Sequence, residues 1–217
     1  MQKTRKARAA PDKQERRESI LKAAEDVLPL GGPLPLIASI SAAAHLTQGA
    51  LYRYFSSKEE IYATLLEREM GFLLEHIKQL IAVHYGSPAA IADGVADGIT
   101  RYCLEHTKTF YLASLSPAIL EANTQEAFAR QLKRELATEV RTIATALVEA
   151  IPSLHFASAV DLLLTSHALI IGLWQVAYPP AVIERILQEE ETKVLRIDLD
   201  NTLSTALHSL WRGWIYE

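Results

Sequence analysis

An all-α fold is predicted for this chain by three observations. Apolar residues recur at three-to-four spacing in segment after segment. No run alternates apolar and polar residues in the way that marks a strand. Pro and Gly residues collect in short stretches that separate the periodic segments. With 217 residues, 49% of them apolar and 22% charged, the composition is that of an ordinary globular protein, with apolar mass for one large domain or two smaller ones.

The elements follow in order. Ile20, Leu21, Ala24, Val27 and Leu28 predict a first helix over 13–29, and the basic stretch before it, residues 1–12, is expected to be a disordered arm. Pro29, Gly31, Gly32, Pro33 and Pro35 end that helix. A short alanine-rich helix is predicted from Ile37 to Ala44, and a second short one from Gln48 to Phe55, with Thr47 placed as its N-cap. Ser57-Lys58-Glu59-Glu60 has the spacing of a capping box and opens a longer helix over 57–83, with Ile61, Leu65, Phe72, Leu73, Ile77 and Leu80 on one stripe. Ile91, Val95, Ile99 and Tyr102 mark another helix, and Phe110 to Ala122 a further one interrupted near Pro117. Phe128, Leu132, Leu136, Val140, Ile143, Leu147 and Ile151 hold helical spacing up to Pro152. Residues 155–178 are mostly apolar, and Leu199, Leu203, Leu207, Leu210, Trp211 and Trp214 give the face of a last helix.

Charge is distributed unevenly. Residues 1–58 carry ten Lys or Arg and five Asp or Glu, a net of +5; the remainder carries a net of −9, and together they give the overall −4. A basic first quarter on an acidic body fits contact with a polyanion through the first part alone.

Two short helices joined by a tight turn and backed by a third make a helix-turn-helix. The second of them has the make-up of a recognition helix. Thr47, Gln48, Gly49 and Ala50 give it a small, polar start that can approach base edges, while Leu51 and Phe55, four apart, anchor the opposite side. Tyr52, Arg53 and Tyr54 are left on the exposed arc. There a phenol can bond a phosphate, and a guanidinium can take either a phosphate or a guanine edge.

The stretch I40-S-A-A-A-H-L-T-Q-G-A-L-Y-R-Y-F-S-S-K-E-E-I61 resembles the DNA-binding domain of the TetR family of bacterial transcriptional regulators. The likeness in sequence covers about residues 13–65. It implies that Gln48, Ala50, Tyr52 and Arg53 meet bases or phosphates and that Thr47, Tyr54 and Lys58 hold the phosphate backbone, with Gly49 between them. It also implies a helix-turn-helix domain over 13–60 followed by a helical ligand-binding and dimerisation domain over 61–217. Three places depart from the family pattern, the smallest being Ser41 in place of the usual Ala. His45 stands where a turn Gly is usual, at a position expected to need positive φ, and Pro33-Leu-Pro-Leu36 replaces the usual Ser or Thr cap of the preceding helix.

The C-terminal region has no comparable motif. Polar or aromatic residues set in its apolar helices are the candidates for a ligand site: Tyr102, His106, Tyr111, Asn123, Asp161, His167, Trp174 and Tyr178. The apolar excess of residues 155–178 and 199–215 points to homodimerisation. No two of the seven histidines stand three or four apart, and with one cysteine there is no metal-site spacing. No cofactor fingerprint or nucleophile motif is present, no run reaches the roughly 18 uncharged apolar residues of a membrane span, and a cytoplasmic location is expected. The reading is therefore of a dimeric regulator binding a double-stranded DNA operator, more naturally a repressor, released by a small-molecule effector. An activator or partner-sensing regulator of the same fold, or an all-helical enzyme with a vestigial DNA-binding motif, are the alternatives.

Overall fold

The computed structural model describes the backbone over residues 3–216 and side chains over 13–215. It contains ten α-helices and no strand among the described residues. Helix α1 spans Lys3–Val27, so the stretch expected as an arm is helical from residue 3, and Met1 and Gln2 lie outside the description. Apolar periodicity could not reveal this, because residues 3–12 carry only Ala and Pro as apolar types; Lys, Arg and Ala extend the helix by propensity.

Helix α2, Ile37–Ala43, starts at Leu36 without a side-chain cap. Helix α3, Gln48–Leu51, is shorter than the predicted 48–55. Its continuation tightens: Arg53 N–H bonds the Ala50 carbonyl and Tyr54 N–H that of Leu51, three-residue steps in place of four. Helix α4, Lys58–Val83, is capped by the Ser57 hydroxyl, which accepts from Glu60 N–H at 3.1 Å. The Glu60 carboxylate reaches back to the N–H of Ser56, one residue before the position that a standard capping box uses. Phe72, expected on the buried stripe of α4, is exposed.

Helices α5, Pro88–Glu105, and α6, Thr107–Leu115, follow. The interruption expected near Pro117 is a π-helical turn over Ser116–Leu120 and a 3₁₀ turn over Glu121–Asn123. Proline has no N–H to continue the helical ladder, so the chain widens there. Helices α7, Glu126–Ala150, and α8, Phe156–Ala177, are long; α9, Ala181–Ile186, is a short helix that periodicity over 155–215 did not reveal; α10, Leu199–Tyr216, closes the chain.

One continuous core joins these helices apart from α9, which has no buried residue. The α1–α2–α3 unit packs on the first turns of α4, and α4 then runs into the C-terminal domain, where it lies against α5, α6 and α7. Helices α8 and α10 pack together and on α7 and α5. Gly98 permits the close approach of α4 and α5, since a Cβ there would lie 2.2 Å from Leu80 Cδ1. By length and composition α8 is apolar enough to cross a membrane. It carries Asp161 and His167, and its Leu162, Ser166, Ile170 and Trp174 are buried in the core. The single cysteine, Cys103, is buried on α5, and burial pushes its thiol pKa up.

Candidate nucleic-acid interface and ligand cavity

The turn between α2 and α3 depends on one unusual residue. His45 has φ 53°, in the left-handed region, as the departure from glycine at this position predicts. Thr47 then caps α3 by accepting Ala50 N–H at 3.1 Å. Leu51 and Phe55 are buried, while Gln48, Gly49, Tyr52 and Arg53 are exposed, Tyr52 to 51%. Arg53 has no carboxylate partner among the described residues. Ala50 is half-buried, and so is Tyr54, whose ring packs on the core instead of joining the exposed arc.

Sequence reasoning missed Arg17. From α1 its guanidinium donates to the Tyr54 carbonyl at 2.6 Å and sits 4.1 Å above the Phe55 ring, fixing the end of the short helix from below. The available signal was a basic residue three positions before Ile20, on the face that α1 buries. Lys58 is partly engaged: its ammonium lies 3.5 Å from the Leu34 carbonyl and 4.0 Å from Glu59.

A cavity of about 570 Å³ lies between α4, α6, α7 and α8. Leu66, Met70, Leu74, Phe110, Leu136 and Leu163 give it an apolar wall. This explains why Leu136 of the α7 stripe is exposed: its end of the stripe faces the cavity. The charged lining includes Glu67 of α4 and Glu135 of α7, hydrogen-bonded to each other. Burial, then the hydrogen bond and charge of Glu135, push the Glu67 carboxyl up to about 7, while Glu135 is held low by Glu67 and Gln131. The two titrate as a pair. Lys133 bridges to Glu121 at 2.8 Å, and Ser116 donates to the same carboxylate at 2.9 Å. Burial against Glu121 opposes its ionisation, but these hydrogen bonds win and hold the pKa down. His167 stays accessible by area because it borders the cavity, yet protein surrounds it; burial and then Lys133 lower its pKa.

Of the eight ligand candidates only His167 lines this cavity. The other seven have other surroundings. Tyr102 donates to the Glu69 carbonyl at 3.0 Å and stacks on His106 at 4.0 Å. Tyr111 donates to the Gly32 carbonyl at 2.5 Å, and Asn123 to that of Ile119 at 2.8 Å. Trp174 is buried against Phe110 and Tyr178, and Asp161 is exposed.

Residues 20–65 match the family model described as bacterial regulatory proteins, tetR family, and residues 72–217 the one described as tetracyclin repressor-like, C-terminal domain. The chain belongs to the TetR family. As a TetR-family chain it is a DNA-binding transcriptional regulator in class. Its fold is similar to that in the crystal structure of a TetR-like transcriptional regulator from Rhodococcus sp. RHA1, at 21% identity and a TM-score of 0.49, over 91% of this chain and 94% of that one. Among curated proteins none matches in sequence.

Proposed function

We propose that this TetR-family chain is a homodimeric repressor that binds a palindromic DNA operator and leaves it when a small molecule enters the α4–α6–α7–α8 cavity. The observation that carries the reading is the state of α3. The outer residues of α3 and of the tight turn that follows it, Gln48, Gly49, Tyr52 and Arg53, face solvent on a base fixed by Thr47, Leu51, Phe55 and Arg17. An exposed cation and phenol at the end of a short, capped helix suit a DNA groove, with Gln48, Ala50, Tyr52 and Arg53 at base edges or phosphates and Thr47, Tyr54 and Lys58 toward the backbone.

Dimerisation is supported by α8. Ala168, Gly172 and Val176 are exposed and fall four residues apart, a stripe of small and apolar side chains that permits close approach of another helix, and the cavity-lining Leu164 stands one step before it. Two recognition helices about 34–36 Å apart read successive turns of a duplex, which one short helix cannot do.

Release is supported by the way the cavity walls hold the DNA-binding unit. From α6, which contributes Phe110 and Ala113 to the cavity, Lys108 donates to the Glu25 carbonyl at 2.8 Å and Tyr111 to that of Gly32. From α4, Tyr62 donates to the Ala24 carbonyl at 3.3 Å, and Arg68 pairs with Glu18 and Glu25. A ligand that moves α4 or α6 therefore carries the α1–α2 end with it and changes the separation of the two recognition helices. Selection of bound fragments from the host genome tests the reading. Recovered fragments should share a palindrome, and affinity for it should fall steeply with salt. A set without a common sequence, bound independently of salt, would overturn it.

A further inference from the structure

We propose that the molecule this cavity takes is an organic cation, an amine or quaternary ammonium group on an apolar body, with its charge seated against Glu67 and Glu135. The proposal rests on reading the cavity as the effector site. It comes from a charge imbalance in an otherwise apolar lining. Of the cavity's carboxylates, Glu75 is paired with Lys78 at 2.7 Å and Glu121 with Lys133 at 2.8 Å. Glu139 lies in the field of Lys78. Glu67 and Glu135 have no Lys, Arg or His in ion-pair distance among the described residues, and instead bond each other.

Two carboxylates without a cation, Glu67 half-buried and Glu135 exposed in the wall of a cavity large enough for a drug-sized molecule, are stabilised by sharing a proton or by taking up a positive charge. An anionic ligand has no free cation to meet: both lysines of the lining are committed, and burial disfavours the charged form of His167. The pair also bridges α4 and α7, so a cation seated there contacts the helix that leads to Lys58 and the DNA-binding unit.

A cation entering displaces the shared proton, so its affinity should rise with pH through neutrality, where Glu67 gives up that proton. His167 faces the same cavity from α8 and works in the same direction, since its neutral form repels a cation less. The same lining carries Lys133 and Glu139, together with Glu75 and Glu121, whose carboxyls are held low, and Lys78, whose ammonium is held high by Glu75.

Calorimetric titration of the full chain with decylammonium, decanol and decanoate, below their aggregation limits, tests this. The expected result is that decylammonium binds at least about tenfold more tightly than either neutral or anionic analogue. Glu67→Gln with Glu135→Gln should remove that preference and its pH dependence while leaving decanol affinity unchanged, which shows the cavity intact. Tightest binding by decanoate, no binding by any of the three, or an unaltered preference in the double variant overturns the proposal. The selected operator fragment separates the two readings. Decylammonium that binds without releasing DNA removes the release mechanism and leaves the ligand class standing. Decanoate that binds and releases DNA does the reverse.

Discussion

Arg53 and Lys58 carry like charges a few residues apart but sit in different surroundings, and that difference sets separate expectations for them. Arg53 is exposed on the turn that follows α3, whereas Lys58 rests near the Leu34 carbonyl at the start of α4. Lys58→Ala should weaken binding to all DNA sequences alike and flatten the salt slope by about one phosphate. Gln48→Ala or Arg53→Ala should change which operator is preferred, by about 1–3 kcal/mol for each base whose hydrogen bonds the substitution removes; identical behaviour of all three in competition binding would refute the division. At Glu67 the expectation concerns pH. The fold raises this pKa, so its contribution to stability is complete below the ordinary carboxylate range and disappears as pH climbs through about 7. Glu67→Gln cannot ionise, and thermal melts should show a flatter pH dependence with a gain in Tm over the parent at about pH 8. The local residues were legible: His45 and Thr47 do what their neighbours in the chain demand. Glu67 and Glu135 were not, because nothing in either segment shows that α4 and α7 bring them together.

Helix α6 is a wall of the cavity on one side and a handle on the DNA-binding unit on the other. Phe110 and Ala113 face the cavity, while Lys108 and Tyr111 hold the carbonyls of Glu25 and Gly32. Tyr111→Phe combined with Lys108→Met removes the handle and leaves the cavity lining in place. The expected outcome is ligand affinity and DNA affinity within a few-fold of the parent, with their mutual antagonism reduced, a coupling normally worth about 1–3 kcal/mol. Measuring each affinity with and without the other ligand checks it; full antagonism in the double variant would place the coupling on α4 alone. At this scale the sequence was read well where helices are long and amphipathic, and Pro117 marked the break correctly. It was read poorly where pattern is absent or ambiguous. The start of α1 lacks large apolar residues, α9 is only six residues long, and the stripe on α7 lines a cavity over part of its length, which periodicity cannot distinguish from a packed core.

For the whole molecule, the all-helical plan was present in periodicity, and the charge pattern sets a basic first quarter on an acidic remainder. The location of the cavity was not, since a void is a property of how four helices meet. Assembly gives the test at this scale. Ala168→Arg places a long charged side chain on the exposed α8 stripe while leaving the buried face of α8 alone. Sedimentation should show the parent as a dimer and the variant as a monomer, with loss of palindrome binding; a dimeric variant would move the interface elsewhere. The buried Cys103 has a practical consequence for the mechanism. Its thiol is shielded and held protonated, so a maleimide dye should ignore it. A cysteine introduced at exposed Ser56 would then be the sole labelling point in each subunit of the proposed dimer. Energy transfer between the paired fluorophores should weaken or strengthen when effector is added, reading the gap between the two DNA-contacting ends directly in solution.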